Sequence, residues 1–376
     1  SKIKDANERL LFLVCSLFPS GLKKEDALKI IPELKDDDIK SLTFKSLIPK
    51  NDGNTFNMLA PIRNYAYGMF KKMIDENEID IGIVAQWINS SVEKSLEYYN
   101  TTHGTGKRNI KELINELPDM FRVLDYLISK SEKDNLYNIL YNLVNFLLFM
   151  GITDNIISFL EKARQDAQST RDLSVEAKYI IMIGEIHLRE SRNKDAMQCF
   201  NDALPLFKQV GNILGEANCI MRIGDIHFYE SRNKDAMNSY KEALSIYKRV
   251  GDVSGEASCI SGIGDIHLRE SRNKDAMKSY NNALSLYKQV GNILGEANCI
   301  KGMGFCLIRN NHTDAGIKVV FNAIELYEKI NDKYSMVEAY KNLGKTLVGK
   351  EGYQEKAMEY KKIGEEILKN IERTGQ

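Results

Sequence analysis

Residues 264–280 read "GDIHLRESRNKDAMKSY", which sets an aspartate, a histidine, an arginine and a glutamate within seven residues. That mixture is what a catalytic or metal centre is made of. The chain carries its own control, because "GEIHLRESRNKDAMQCF" starts at Gly184 and "GDIHFYESRNKDAMNSY" at Gly224, a spacing of 40 both times. A site is built once from residues distant in sequence, whereas a unit copied at a fixed interval of roughly 20–50 residues is the signature of a stacked array. The stretch is therefore scaffolding, and any site has to be found on top of it.

Aligned on Gly184, Gly224, Gly264, Gly304 and Gly344, the copies place an aliphatic residue before each glycine and an alanine nineteen after the first four (Ala203, Ala243, Ala283, Ala323). Small residues at fixed points imply close helix crossings. Ile220, Ile223 and Ile226, then Ala236, Tyr240, Ala243, Leu244 and Tyr247, follow helical spacing, so each unit is a helical hairpin with helices near 215–230 and 234–249. Gly211, Gly251, Gly291 and Asn331 stand where a left-handed C-terminal residue is wanted. Asp172, Asn212, Asp252, Asn292 and Asp332 follow as N-cap acceptors for the next helix.

Gly224, Ala236, Tyr240 and Ala243, with "GEA" opening the first helix, resemble the tetratricopeptide repeat in a 40-residue form. The likeness covers about 171–330 and implies an all-α solenoid, a right-handed superhelix of hairpins. The array is expected over 136–376, its first and last units degenerate, with a one-residue insertion before Ala357 in the last. His187, His227 and His267 occupy the place where this family puts an aromatic between its two helices. Copies in adjacent repeats lie about 10 Å apart while a metal needs ligands near ~2 Å, so they are read as packing residues and no metal or cofactor is expected. "GTGKRN" at 104–109 lacks the first glycine and the hydroxyl of a phosphate loop, and "GKT" at 344–346 lies inside a repeat helix, on its packing glycine, with no strand before it. No catalytic constellation emerges, and the chain is expected not to be an enzyme.

With 52 basic and 52 acidic residues the chain has no overall charge and no global field to draw in nucleic acid or an anionic membrane. The six cysteines are scattered singly, three of them (Cys219, Cys259, Cys299) copies of one position, which points to a reducing, cytoplasmic setting without a disulfide framework. The apolar stretch at 10–18 is too short to span a bilayer, and that at 136–152 is broken by Asn138, Asn142 and Asn145. The sequence opens on Ser1 without a leader pattern, and is expected to be a piece of something longer.

Differences between copies show where function sits. Residues 211–250 and 251–290 agree at 27 of 40 positions. In the first helix they part at Asn218/Ser258, Met221/Ser261, Arg222/Gly262, Phe228/Leu268 and Tyr229/Arg269, offsets that form one helix face. Second-helix changes at Asn238, Lys241 and Glu242 only exchange polar for polar. The first-helix face is the expected ligand-binding groove, made of Lys178, Glu185, Arg189, Asn218, Arg222, Asp225, Tyr229, Ser261, Asp265, Arg269, Asn298, Lys301 and Arg309, with Lys341 and Lys345 at its end. The family resemblance implies a peptide or partner helix there. Acids do not dominate this set, so the expected ligand is an amphipathic, partly acidic peptide. The Lys/Asn carboxylate clamp of chaperone-tail binders is not recognisable, its early positions holding Ile181 and Glu185.

Residues 1–75 differ in character, and "SLFPSGL", "KSLI" and "MLAPIRNYA" resemble the winged-helix domain that follows the nucleotide-binding module of STAND-type NTPases of the NB-ARC class. The resemblance implies a sensor or scaffold arm coupled to an upstream nucleotide-binding domain. It also predicts a hairpin within "LIPKNDGNTFNML" (47–59). A winged helix in a DNA-binding regulator with a ligand-sensing arm is the rival reading, opposed by Asp36, Asp37 and Asp38 at the start of the helix that would meet phosphates. Residues 76–135, including Trp87, are expected to be a helical linker.

Overall fold

The register of 40 set by the caps is the register of the helices. A computed structural model describes residues 6–18, 21–45, 47–48, 55–56, 58–75, 124, 133–150, 153 and 156–374. It divides into two units, Ser1–Phe146 and Leu147–Gln376. The linker expected at 76–135, Trp87 and the "GTGKRN" segment fall outside the described residues, Leu124, Lys133, Asp134 and Asn135 apart.

The first unit runs α1 (Ala6–Cys15), β1 (Leu22–Lys23), α2 (Lys24–Ile30), α3 (Asp36–Phe44), β2 (Thr55–Phe56) and α4 (Ala60–Asp75). Helix α1 packs on α3 and α4 through buried Leu11, Leu13, Val14, Leu42, Ala66 and Phe70. Strand β2 pairs antiparallel with β1, Leu22 opposite Phe56. The expected hairpin partner of β2 within 47–59 is thus not where its pairing goes among the described residues, and the turn at 49–54 lies outside them. The three aspartates of α3 sit in its first turn, where the exposed N–H groups and helix dipole favour negative charge. Asp38 Oδ2 accepts from the Lys35 backbone N–H at 2.8 Å. Asp36 is bound by Lys24 at 2.7 Å, and that bond holds its carboxyl below the usual range. Glu8 is 3% exposed and is bound by Lys45 and by the Ser41 hydroxyl at 3.0 Å.

Helix α5 (Lys133–Met150) crosses the boundary between the units and α6 (Ile156–Ser169) opens the second. Five first helices follow: α7 (Leu173–Arg189), α9 (Ile213–Tyr229), α11 (Val253–Arg269), α13 (Ile293–Arg309) and α15 (Lys333–Leu347). Their partners are α8 (Asn193–Gln209), α10 (Asn233–Val250), α12 (Asn273–Val290), α14 (Thr313–Lys329) and α16 (Gln354–Thr374). The array is all-α, each helix from α7 to α16 packed on its predecessor. Every first helix is capped as its sequence demands: Asp172 accepts from Val175 N at 3.1 Å, Asn212 from Gly215 N at 2.9 Å, Asp252 from Gly255 N at 3.0 Å, Asn292 from Gly295 N at 2.8 Å and Asp332 from Ser335 N at 2.9 Å. Gly211, Gly251, Gly291 and Asn331 adopt the expected left-handed conformation.

The turn inside each hairpin differs from the joints between hairpins. Ser191, Ser231 and Ser271 are left-handed, with φ of 59°, 61° and 61°. The cap position belongs to Arg192, Arg232 and Arg272, whose side chains make no cap bond. Each guanidinium instead binds Asp195, Asp235 or Asp275 at 2.8 Å, which accounts for the repeated "ESRNKDA" as a turn fixed by backbone geometry and a local ion pair. Between hairpins a ring fills the space above a small residue: a Cβ on Gly255 would fall 2.4 Å from Tyr247 Cδ1. Cys219, Cys259 and Cys299 are fully buried in successive interfaces, and burial pushes each thiol up to about 12.

Candidate binding face on the first helices

The repeated histidines are structural in position. The carbonyls of His187, His227 and His267 accept from Arg192, Arg232 and Arg272 N at 2.8 Å, closing the turns. Their Nδ1 atoms are buried and make no hydrogen bond. Burial, then the neighbouring arginine, lowers each ring's pKa. Among the described residues no group of three or more His, Cys, Asp or Glu is placed to hold a metal ion. His227→Phe is expected to change stability by less than about 1.5 kcal/mol at neutral pH, since it exchanges rings of similar volume and removes a buried polar atom that nothing satisfies. A depressed histidine pKa contributes stability above the unfolded value near ~6.5, lost as pH falls below it. The variant should accordingly lose less stability than the parent between neutral and acid pH, as urea melts at the two pH values would show.

The expected groove residues fall into two groups. Several serve the scaffold. Asn218 accepts from Tyr247 Oη at 2.6 Å, Asn298 from Tyr327 Oη at 2.6 Å, and Ser258, the intervening copy, meets Tyr287 Oη at 3.0 Å. The divergence at this position therefore preserves one bond. Arg269 reaches back one repeat: its guanidinium donates to Phe228 O and Asn233 Oδ1 and stacks 3.5 Å from the Phe228 ring centre. Arg309 likewise donates to Leu268 O. These arginines cap the last turn of the preceding first helix. Ser261 lies 3.9 Å from the Cys299 thiol.

The other group forms a charged network across neighbouring first helices. Arg222 is bound by Glu185 of α7 at 2.6 Å and by Asp225 at 3.0 Å, and Asp225 also accepts from Tyr240 Oη at 2.7 Å. Desolvation opposes the charge on Arg222, but Glu185 and Asp225 outweigh it and raise its pKa. Asp265 accepts from Tyr280 Oη at 2.6 Å. Burial is the main cause that pushes its carboxyl up to about 6; Tyr280 and Lys301 pull it down, and Glu338 and Asp225 push it further up. Lys301 is bound by Glu338 of α15 at 3.0 Å. Tyr229 is 63% exposed, yet crowding at its hydroxyl, then Asp225, Glu338 and Asp265, raises its pKa. Carboxylates of α9, α11 and α15 thus act on one exposed tyrosine. Lys178 is half-buried, and Arg189, Lys341 and Lys345 are exposed. Glu338 and Tyr280 were missed by sequence reasoning, the first because it lies in the degenerate last hairpin, the second because it belongs to a second helix.

A family model described as SNAP, soluble NSF attachment protein, matches residues 158–281, within the array. No curated protein matches the sequence. Among solved structures, the apo form of RapI has a TM-score of 0.60 at 12% identity, covering 76% of this chain and 99% of its own. Aspartyl phosphate phosphatase F from Bacillus subtilis gives 0.59 at 10%, covering 100% and 97%. A Rap protein complexed with competence and sporulation factor gives 0.55 at 14%, covering 76% and 78%. At these identities the likeness speaks to the fold alone, an all-helical array of the tetratricopeptide kind. No described helix is long and apolar enough to cross a membrane.

Proposed function

We propose that the array is a non-catalytic protein-interaction module that binds a peptide or partner helix on its first-helix face, in the cytoplasm. It acts as the sensor or scaffold arm of a STAND-type signalling protein, the 1–75 segment coupling it to an upstream switch. The observation that carries the reading is a charged network that joins neighbouring first helices on one partly open face, Arg222 bound by Glu185 at 2.6 Å and Lys301 by Glu338 at 3.0 Å, beside the exposed Tyr229, with near-identical copies diverging at 222 and 229. A solved Rap protein of related fold holds competence and sporulation factor, which supports an array of this kind taking a ligand. The STAND role rests on the sequence resemblance of residues 1–75. Against the regulator reading stand the three α3 aspartates, one of them paired with Lys24.

Tyr229→Ala tests the face, because that ring is exposed and its removal leaves the packing intact. Once a partner has been isolated with the full chain, the variant should lose about 2 kcal/mol of affinity, as truncated tyrosine anchors do, with an unchanged melting temperature. The triple change Asn238→Ala, Lys241→Ala, Glu242→Ala on the second helix should leave affinity within about twofold. The reverse pattern would place binding on the other face.

A further inference from the structure

The two edges of the array differ in chemistry. The turns inside the hairpins repeat the polar run "ESRNKD", whereas the joints between hairpins read "QVGNIL" at 209–214, "RVGDVS" at 249–254 and "QVGNIL" again at 289–294. The apolar side chains of these joints stay in solvent: Val210, Ile213, Leu214, Val250, Val290 and Leu294 are each 39–44% exposed. Single exposed apolar residues need no explanation, but a row of them at three joints about 10 Å apart marks a surface that something covers. Upstream the same positions hold Thr170 and Ser174, and downstream Lys333 stands where Ile213 and Ile293 do, so the strip is three joints long.

The two outer joints are identical and uncharged, and the middle one differs from both by carrying Arg249 for glutamine and Asp252 for asparagine. Nothing in the fold asks for either change. Asn212 and Asn292 cap their helices at 2.9 and 2.8 Å as well as Asp252 does at 3.0 Å. Arg249 is exposed and, unlike its neighbour Lys248, which binds Glu256 at 3.6 Å, enters no ion pair among the described residues. Asp252 has no cation on it among them either. Lys208 is paired with Glu216 at 3.7 Å. The strip therefore has apolar ends and a middle that holds one uncompensated charge of each sign.

We propose that this edge is where two copies of the chain meet, about a two-fold axis through the middle joint. A half-turn about an axis normal to the edge reverses the order of the joints, so that residues 209–214 of one copy lie over the identical sequence at 289–294 of the other. It also exchanges the first-helix and second-helix sides, which sets Arg249, near the end of α10, over the partner's Asp252, at the start of α11. The middle joint then closes two ion pairs, each formed by Arg249 with the partner's Asp252. An isologous contact requires a surface that complements itself, and identical apolar ends about a centre with one charge of each sign meet that requirement. A lipid surface gives no reason for Asp252, and an unrelated partner gives none for the matching ends. With 52 basic and 52 acidic residues the copies have no net charge to hold them apart. An edge three joints long belongs at the low end of specific interfaces, about 1,200 Å² in total or less, so the dimer is weak, dissociating on the order of 10 µM. The joints lie at the opposite end of each first helix from Tyr229 and Arg269, so the pairing is independent of binding on the first-helix face.

Sedimentation equilibrium of the full chain, from about 1 to about 200 µM, should show the parent passing from monomer to dimer. The double change Val210→Lys, Val290→Lys, at exposed positions, should weaken association at least about tenfold with an unchanged melting temperature. Arg249→Glu sets a carboxylate against the partner's Asp252 twice and should also weaken it about tenfold. Asp252→Asn keeps the cap, as the flanking joints show, and separates pairing from packing. It should weaken the parent's dimer at least about threefold by removing two exposed ion pairs, yet strengthen the dimer of Arg249→Glu about as much by removing two repulsions. A merely structural role for Asp252 does not reverse sign between the two backgrounds. The proposal is overturned by a parent that stays monomeric throughout, by undiminished association of the double lysine variant, or by Asp252→Asn acting in the same direction in both backgrounds. A monomeric parent that floats with neutral phosphatidylcholine vesicles, while the double lysine variant does not, would give the strip to a lipid surface instead.

Discussion

Gly316→Ala is expected to destabilise the fourth hairpin of the array by about 2–3 kcal/mol, although alanine is the better helix former by about 1 kcal/mol. Helices α13 and α14 cross at a pair of glycines. A Cβ on Gly316 would lie 2.5 Å from Ile308 Cγ1, 2.6 Å from Gly304 O and 2.9 Å from Ile308 N, and one on Gly304 would lie 2.9 Å from Gly316 O and 3.0 Å from Val320 N. Two of the obstacles to Gly316 are backbone atoms, which move only if the helices separate, and forcing extra volume into such a contact costs about 1–3 kcal/mol or more. Gly68→Ala in α4, where nothing lies within 4 Å, is the control and should be stabilising by about 0.5–1 kcal/mol. Urea unfolding followed by helical signal measures both. Hydrogen exchange should show the Gly316→Ala loss concentrated in α13 and α14, because neighbouring repeats share only their interfaces. Equal protection in parent and variant would mean that the two helices do not cross this closely.

Lys45→Met is the second large effect, expected at about 3 kcal/mol in the first unit. The side chain of Glu8 is only 4% exposed and that of Lys45 18%, so removing the ammonium takes a cation from an interior carboxylate that the Ser41 hydroxyl also binds. Breaking one side of a buried pair costs about 3–5 kcal/mol, whereas replacing both sides by apolar groups of similar size is often nearly neutral. The double change Glu8→Met, Lys45→Met should therefore recover most of the loss. Exchange rates of amides in α1 and α3 report on this unit without interference from the array. A double variant as unstable as Lys45→Met alone would show that the pair is not what holds α1 to the end of α3.

The hairpins, their register and the joints between them were legible because each depends on local chemistry that the copies repeat: an oxygen three residues before an orphan N–H, and a glycine where φ turns positive. Even the insertion before Ala357 is visible as the start of α16 at Gln354, one residue later than the register of 40 would place it. The face was legible only in part. Arg269 and Arg309 look like ligand-binding cations in sequence, but their partners Phe228 O and Leu268 O lie 41 residues away, a distance at which no periodicity within a helix speaks. Asn218 varied for a related reason, since serine at 258 reaches the same kind of tyrosine hydroxyl. What escaped reading altogether was the exchange of Phe200 and Arg222 for Tyr240 and Gly262, visible only when changes on two helices are considered together: a Cβ on Gly262 would lie 2.7 Å from Tyr240 Cζ. In the first unit the pairing of Thr55 with Lys23 joins segments too far apart for turn chemistry to announce.

The buried thiols of Cys219, Cys259 and Cys299 turn the array into its own recorder of unravelling. One sits at each of three successive interfaces, held neutral by burial and so inert to alkylation until its hairpin opens. The order in which the three are alkylated, read by mass after timed exposure, is the order in which the stack comes apart. An array that frays inward from its ends labels its middle thiol last, and one that breaks at the centre labels it first.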